Sequence, residues 1–229
     1  MSILYYRMDL WPKDLGRARK IQELLSKKVK IVPLHSDPKY VCGLDAAYGR
    51  ASVYGCASLF ELPEIAPVED CIGTAPLDFP YVPSFLGFRE GRALIKAVKG
   101  LRRRPDVILF DGHGIAHPSF LGIASHIGVL LGIPSIGCAK ENLVGAYMEP
   151  GQDEGSHSPI VHGERIVGVA LRTRLRVRPI FVSPGHLVDL PCSIELILKC
   201  TKGYRLPEPI RRAHRLSKIY ASKFEASPR

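Results

Sequence analysis

The chain has 229 residues, of which 46% are hydrophobic, and its formal net charge is +10 at pH 7. This length and hydrophobic content can build one substantial core, so we expect a single domain over residues 1–229. No apolar run approaches the length of a membrane helix, and the first residues lack the basic start and apolar core of a secretory signal. We therefore expect a cytoplasmic protein with no membrane partner.

The excess positive charge favours a polyanionic partner such as nucleic acid, although charge alone also fits mere solubility. Much of it lies in residues 102–104, in four alternating arginines from Arg172 to Arg178, and in residues 199–223. On an extended segment, alternating arginines would all face one side. Such a row could contact phosphates or protect a sheet edge, and the sequence favours neither interpretation.

Hydrophobic periodicity predicts helices and strands in a mixed order. In chain order these are a helix at 9–28, strands at 40–48, 51–62 and 69–77, a helix at 84–101, a strand at 107–110, a helix at 119–131, strands at 134–138, 165–173 and 179–183, and helices at 191–202 and 208–224. The short link between the first two strands predicts an antiparallel hairpin. Residues 149–163, rich in Gly, Pro, Ser, Asp and His, are predicted to form a surface loop.

The central stretch of the chain predicts a βαβ unit. Residues 107–110 form an uninterrupted apolar run, as expected of a strand buried on both faces, and Asp111 follows directly. A helix ending at Gly132 leads to a second apolar strand, and Lys140 lies just past its end. Strands joined by a crossover helix are parallel, so Asp111 and Lys140 should meet at one sheet edge, where open α/β sheets bind their ligands.

Cysteine and histidine patterns carry little evidence of a zinc site. Six cysteines include no closely spaced pair, and four lie in apolar segments, so we expect buried free thiols rather than disulfides or zinc ligands. His113 and His117 are four apart, but Gly114 and Pro118 oppose the helix that such a pair would need. We interpret His186 as a loop histidine that holds the backbone.

Several polar residues remain as candidates for chemistry: Asp45, Glu90, Asp111, His117, Lys140 and His214. Alone, an Asp at a strand end is more often a turn or capping residue, and its significance comes from the other candidates. The element order predicts an α/β protein with a ribonuclease H-like fold, a mixed central sheet and helices on both faces. In that fold, acidic residues from the first strand, a helix and the fourth strand bind a divalent metal, and oxygen ligands suit Mg²⁺ or Mn²⁺.

Five motifs in order make a closer resemblance. They are GLDAAY at 43–48, PYVPSFLGFREG at 80–91, DGHGIAHP at 111–118, IPSIGCAK at 133–140 and VSPGH at 182–186. Together they resemble the endonuclease V family, whose members nick nucleic acid beside deaminated purines. The likeness covers residues 43–214, most of the chain, and the two longest motifs are far more specific than any single carboxylate.

The resemblance implies roles for the candidate residues. Asp45, Glu90 and Asp111 would bind Mg²⁺, with Mn²⁺ as a substitute, and the ion would activate a water against a phosphodiester. Lys140 would neutralise charge developing on the phosphate. The histidines His117 and His214 would orient water or a ligand carboxylate, and His214 is the less specific match.

The same resemblance implies how a lesion would be recognised. Tyr81, in the turn formed by Pro80, Tyr81, Val82 and Pro83, would be a wedge that fills the gap left by an extruded base; without the likeness, it could equally be a half-buried core tyrosine. The base would enter a pocket built from backbone at Leu86, Gly112, Gly122 and Ile123. Ser84 stands where the family commonly has glycine, which bears on pocket width and lesion preference.

The predicted function is a Mg²⁺-dependent endonuclease that hydrolyses the second phosphodiester bond 3′ to inosine in DNA, leaving 3′-hydroxyl and 5′-phosphate ends. One alternative is a nuclease of the same architecture acting on inosine in RNA or on branched DNA. Others are a non-catalytic lesion-binding protein and, on charge alone, a basic ribonucleoprotein scaffold. The expected partners are DNA with deaminated bases and, as a second candidate, inosine-containing RNA; we expect a monomer.

Overall fold

The computed structural model describes residues 10–225, so residue 9, where the first predicted helix begins, lies outside them. The described residues form five helices and eight strands. In order they are α1 (Leu15–Ser26), β1 (Tyr40–Tyr48), β2 (Ser52–Glu61), β3 (Ala66–Pro76), α2 (Leu86–Gly100), β4 (Val107–Phe110), α3 (Ile123–Leu131), β5 (Ser135–Ala139), β6 (His157–His162), β7 (Arg165–Leu171), β8 (Ile180–His186), α4 (Leu190–Lys199) and α5 (Glu208–Glu225).

All eight of these strands form one mixed sheet, in the order β3-β2-β1-β4-β5-β8-β7-β6. The strands β1 and β2 pair antiparallel, as the short link between them predicts. Parallel pairing joins β1 to β4 and β4 to β5, which confirms the predicted βαβ unit. Strand β8 then runs antiparallel to β5, and β7 antiparallel to β8. Three parallel strands therefore end together at the centre of the sheet.

Side chains of the central strands alternate between two helical layers, as they must in a pleated sheet. Val41 and Leu109 pack in a core with residues of α4 and α5. Leu44 and Phe110 point to the opposite face and pack against α2 and α3. The predicted mixed sheet with helices on both faces is confirmed. By the same alternation, Asp45 shares the face of Val41 and points toward α5.

Helix α5 approaches β1 unusually closely. A Cβ added to Gly43 would lie 2.1 Å from the carbonyl carbon of Pro209, in the first turn of α5. Only glycine permits this approach of one backbone to another. The contact fixes the start of α5 two residues from Asp45, so the later turns of the helix pass beside that carboxylate.

The predicted surface loop at 149–163 is wrong in its second half, because β6 occupies His157–His162 and pairs with β7. The prediction that the arginines from Arg172 to Arg178 all face one side of an extended segment is also wrong. Arg172, just after β7, is 2% exposed and donates to the carbonyl of Pro150 at 3.0 Å and to Glu149 at 2.7 Å. Arg176 has a left-handed φ of 57°, so the chain turns there instead of extending.

Smaller expectations have mixed outcomes. His186 lies at the end of β8 rather than in a loop, but its Nδ1 accepts a hydrogen bond from the Lys30 amide at 3.2 Å, so its predicted hold on the backbone is confirmed. The six cysteines are free thiols and four are buried, as predicted: Cys42, Cys56, Cys138 and Cys200. Within residues 10–225, no helix combines the length and apolarity that crossing a bilayer requires.

Candidate active site

Three side chains from different elements converge at the centre of the sheet. Asp45 lies in β1, Asp111 directly follows β4, and His214 is on α5. One ligand atom from each lies within 4.8 Å of the others, so the three could hold a metal ion. We call them the acidic cluster. The parallel pairing of β1 and β4 explains the two carboxylates, and the seating of α5 against Gly43 explains the histidine.

Asp45 is oriented by α5. Its Oδ2 accepts a hydrogen bond from the Ser217 hydroxyl at 2.9 Å and lies 3.1 Å from Nδ1 of His214. Burial, together with the nearby charge of Asp111, raises the pKa of the Asp45 carboxyl above its usual range. A cation between the carboxylates would relieve this repulsion, which is the electrostatic behaviour of a metal site.

Lys140 meets Asp111 as the βαβ unit predicts. Its Nζ forms an ion pair with Asp111 Oδ2, in which the lysine side chain is 42% exposed and the aspartate 13% exposed. The amine therefore lies on the solvent side of the acidic cluster, where a phosphate would approach. The expectation that both residues lie at one sheet edge is confirmed; the role of Lys140 in neutralising charge stays a prediction.

Glu90 lies near the acidic cluster without belonging to it. Its Oε1 accepts a hydrogen bond from the hydroxyl of Tyr48, the last residue of β1. Burial and the charges of Asp45 and Asp111 raise the pKa of Glu90 to about 8. The carboxyl thus senses both aspartates, but its oxygens are not among the three converging ligands. A place for Glu90 in the metal shell stays a prediction.

A small pocket of about 190 Å³ adjoins the acidic cluster through Gly112, the residue after Asp111. Seven of the eight residues predicted to bind the substrate, as wedge or as base pocket, line it: Tyr81, Val82, Pro83, Leu86, Gly112, Gly122 and Ile123. Pro80, the eighth, is not in the lining. Tyr81 is 72% exposed at the pocket mouth, so the alternative of a half-buried core tyrosine is wrong.

Two helix starts contribute backbone amides to this small pocket. Two helices begin in its lining, α2 at Leu86 and α3 at Ile123, and neither has a side-chain cap. The first amides of a helix have no partner within the helix and carry its partial positive charge. The small pocket therefore offers hydrogen-bond donors to an acceptor atom.

Three histidines line the small pocket, His113, His117 and His126, and the last two are buried. Burial lowers the pKa of His113 and of His117 to about 4 and that of His126 to about 3, so all three are neutral at pH 7. His117 accepts from the Ser119 amide at 3.2 Å and lies in this lining rather than in the acidic cluster. Its supporting role in catalysis stays a prediction.

The backbone conformation of Ser84 is one that glycine adopts more readily than other residues. Its φ is 72°, in the left-handed region that non-glycine residues adopt at a cost. Its carbonyl accepts a hydrogen bond from the Gln22 side chain at 2.8 Å, which ties the pocket rim to α1. The serine therefore occupies a conformation that glycine adopts without strain.

A second and larger depression, which we call the basic groove, lies on the other side of the acidic cluster. It encloses about 700 Å³, and Lys140 and His214 form its inner end. Its remaining charged lining is Lys202, Glu208, Arg211, Arg212 and Arg215. The acidic cluster therefore lies between a small enclosed pocket and an open cationic groove.

Sequence reasoning missed several residues of this region. Tyr48 falls on the β1 face that packs against α2, so strand alternation could have paired it with Glu90. Ser217 follows His214 by three residues, the spacing of one helix face, which could have marked both as neighbours of Asp45. Gln22 and His126 carried no such signal, because they reach the small pocket only through the packing of α1 and α3.

Comparison with known proteins identifies relatives of this chain. The family model described as Endonuclease V matches residues 23–215. Endonuclease V from Geotalea uraniireducens is 46% identical over 204 residues, 89% of this chain and 87% of the relative. The structure of Endonuclease V from Streptomyces avermitilis matches with a TM-score of 0.90 and 38% identity, covering 94% of this chain and 96% of that one.

A further match is a structure solved in complex with nucleic acid. Endonuclease V from Ciona intestinalis, in complex with a 24mer DNA containing an inosine followed by a ribo-adenosine, has a TM-score of 0.80 and 29% identity, covering 92% of this chain and 99% of that one. Together the structural matches confirm the predicted ribonuclease H-like fold.

Proposed function

The chain belongs to the endonuclease V family and is a DNA endonuclease, and we propose that it cuts DNA containing inosine at the second phosphodiester bond 3′ to the lesion. In this proposal the whole chain acts as one catalytic domain in DNA repair. The observation that carries it is the small pocket of about 190 Å³ directly beside the three converging metal-ligand candidates.

The size and chemistry of the small pocket support recognition of a deaminated purine. An apolar cavity of about 150 Å³ suffices for benzene, so this pocket has the scale of an aromatic ring. Deamination replaces the 6-amino donor of adenine by a carbonyl acceptor. The uncapped amides of Leu86 and Ile123 are donors, so they favour the deaminated base over adenine.

Extrusion of the base from the stack is assigned to Tyr81. The side chain is 72% exposed, between Pro80 and Pro83 and at the mouth of the small pocket, where a ring can replace the extruded base. Extrusion costs a few kcal/mol, and less for a mismatched base such as hypoxanthine. The wedge and the pocket together would select the lesion.

Cleavage is assigned to the acidic cluster with Mg²⁺ as the ion and Mn²⁺ as a substitute. Asp45, Asp111 and His214 fit a divalent cation, since one ligand atom from each lies within 4.8 Å of the others and two of the three ligands are carboxylates. When bound, the ion would polarise the phosphodiester and activate water. Ser217 and His214 hold the Asp45 carboxylate in place, and Glu90 is proposed as a further ligand after release from Tyr48.

Lys140 completes the proposed chemistry from the solvent side. Its ammonium group, paired with Asp111, can move to the phosphate as negative charge develops there. His117 is assigned a positioning role within the small pocket, because its hydrogen bond to the Ser119 amide braces the loop after Gly112.

The test is nicking of an end-labelled duplex with one inosine, beside the same duplex with adenine. We expect one cut, at the second phosphodiester 3′ of inosine, with Mg²⁺, and none with chelator. Binding without a cut under both conditions would instead favour the non-catalytic lesion-binding protein.

Inosine in RNA is the second candidate substrate. The DNA bound to the Ciona relative carries a ribonucleotide immediately after the inosine. Matched single strands with inosine in DNA, in RNA, and in DNA with one ribonucleotide after the lesion would rank the three substrates. Efficient cutting of RNA alone would replace the DNA proposal.

A further inference from the structure

The basic groove differs in chemistry from the small pocket and the acidic cluster. Five cationic residues and one acidic residue line it, and Phe60, Ile65 and Leu206 contribute apolar surface. A positively charged groove with apolar and aromatic surface matches the chemistry of an unpaired nucleic-acid strand, whose phosphates need cations and whose bases need flat apolar contacts. A protein partner would need acidic side chains throughout to match these charges.

The cations of the groove are not equally available. Arg211 pairs with Glu208, and Arg212 binds Asp70 through three hydrogen bonds of 2.6, 2.8 and 3.1 Å. Lys202 and Arg215 are both exposed; the Lys202 ammonium donates one hydrogen bond, to the neutral backbone carbonyl of Glu64 rather than to a carboxylate, and Arg215 directly follows His214 on α5. These two residues are therefore the ones best placed to accept phosphates.

Tyr204 supplies an aromatic surface in the groove. The Arg211 guanidinium lies 3.2 Å from the centre of its ring and covers one face. The tyrosine nevertheless remains 51% exposed. A ring held in place by a cation on one face, and open to solvent elsewhere, is a suitable platform for a nucleobase.

The order of the three sites sets the direction in which a bound strand would run through the groove. Gly112 joins the small pocket to Asp111, and Lys140 and His214 join the acidic cluster to the groove. If the lesion base occupies the pocket and the bond 3′ of it is cut at the cluster, the strand continues in the 3′ direction into the groove. The 5′ flank leaves on the opposite side.

We propose that the basic groove binds the nucleotides 3′ of the cleaved bond as an unpaired strand, with phosphates on Lys202 and Arg215 and one base stacked on Tyr204. This inference rests on the proposed function, because the lesion pocket and the cleavage position set the direction of the strand. It adds a product-strand site that extends beyond the acidic cluster.

The test measures binding of fluorescent single strands with one inosine, by anisotropy in the presence of chelator. One strand has short flanks, a second has about ten extra nucleotides on the 3′ side, and a third has them on the 5′ side. We expect the 3′ extension to lower the Kd about tenfold or more and the 5′ extension to have little effect. An equal gain from both extensions would overturn the assigned direction.

Variants test whether the basic groove causes the lower Kd of the 3′-extended strand. Lys202→Ala combined with Arg215→Ala should weaken the salt dependence with which the 3′-extended strand binds. The slope of log Kd against log salt concentration should fall by about 1.4, because two phosphate contacts are lost. Tyr204→Leu should lose most of the gain from the 3′ extension, and Tyr204→Phe should keep it. If Tyr204→Leu and the double variant both bind like the wild type, the proposal is wrong.

A matched control removes equal charge elsewhere. Arg102 and Arg104 precede β4, so they lie at the sheet edge opposite Asp111, and their double alanine variant should keep the effect of the 3′ extension. Nicking of the inosine duplex with Mg²⁺ separates the two proposals. Nicking without a flank effect rejects only the groove, whereas absence of nicking rejects the proposed function.

Discussion

The small pocket and the basic groove adjoin the same acidic cluster but are built from different parts of the fold. The pocket holds about 190 Å³ between two helix starts, with neutral histidines in its lining. The groove holds about 700 Å³ and is lined largely by exposed or half-exposed cations of α5 and the segment before it. Enclosure with backbone donors suits one base, whereas openness with positive charge suits a chain of phosphates. Specificity and affinity can therefore be altered separately.

The largest effect should come from the cluster that both regions share. Asp45→Asn keeps the shape of the side chain but removes a charge that a cation requires, so nicking of inosine DNA should fall by about a thousandfold or more. Anisotropy of the inosine strand in chelator should change little, because the pocket and groove are intact. Retained cleavage would show that Asp45 is not a metal ligand.

Filling the pocket should affect recognition without affecting the groove. A Cβ on Gly122 would lie 2.3 Å from the carbonyl oxygen of His113, so Gly122→Ala must displace the pocket wall. A displacement near 1 Å can cost about a hundredfold in rate, and we expect a loss of this size for inosine DNA. Gly16→Ala in α1, where an added Cβ meets nothing closer than 3.4 Å, is the control. Equal nicking rates for the two variants would contradict this prediction.

The buried histidine behind the pocket should make the stability of the fold depend on pH. The unfolded chain protonates His126 near its ordinary pKa of about 6.5, whereas burial lowers the folded pKa to about 3. The contribution of neutral His126 to the free energy of unfolding is therefore complete above about pH 6.5 and is lost as the pH falls below that value. At about pH 5 the loss is about 2 kcal/mol. Urea unfolding of wild type and His126→Leu, at about pH 5 and above about pH 6.5, would measure this. The free energy of unfolding should depend less on pH in the variant, and an equal dependence in both proteins would contradict the prediction.

The wedge should influence lesion preference to a smaller extent. Tyr81→Ala removes the ring that is proposed to replace the extruded base, and loss of one stacking contact corresponds to about tenfold. Because the side chain is 72% exposed, the fold should be unaffected. The measurement is the ratio of nicking rates for inosine and adenine duplexes, with Tyr81→Phe as the control. An unchanged ratio in the alanine variant would remove Tyr81 from recognition.

The smallest effect is expected at the pocket rim. Ser84→Gly relieves the left-handed φ of 72° but increases the freedom of the unfolded chain, so a net gain of about 0.5 kcal/mol is expected. Thermal unfolding would measure it, and a lower Tm would show that the serine side chain stabilises the rim. Comparing inosine and xanthosine substrates in the same variant would test whether residue 84 sets the pocket width.

The sequence predicted the elements whose signal is local. The apolar run of β4 and the crossover through α3 to β5 are contained in about thirty consecutive residues, and they correctly placed Asp111 beside Lys140. Strand β6 was missed because Pro159 and polar neighbours resemble a loop. Proline is tolerated there because β6 is an edge strand, a fact that only the assembled sheet reveals.

Contacts between distant segments could not be predicted in the same way. His214 and Ser217 reach Asp45 across about 170 residues, and Gln22 reaches the carbonyl of Ser84 from α1. The charges of both aspartates raise the pKa of Glu90, yet its hydrogen bond to Tyr48 depends on how α2 packs against β1. Such pairings follow from tertiary packing rather than from local pattern.

The contact between Gly43 and Pro209 couples two properties that otherwise look independent. Helix α5 carries His214 and Ser217, which orient Asp45, and two turns of the same rigid rod carry Arg211 and Arg215 in the groove. Its first turn lies against β1 at Gly43, and buried residues in later turns, Ala213, Ser217 and Ala221, pack it along the sheet, so α5 holds His214, Ser217 and the groove arginines in one fixed arrangement. A substitution that shifts α5 therefore moves the partners of the Asp45 carboxylate and the cations of the groove together.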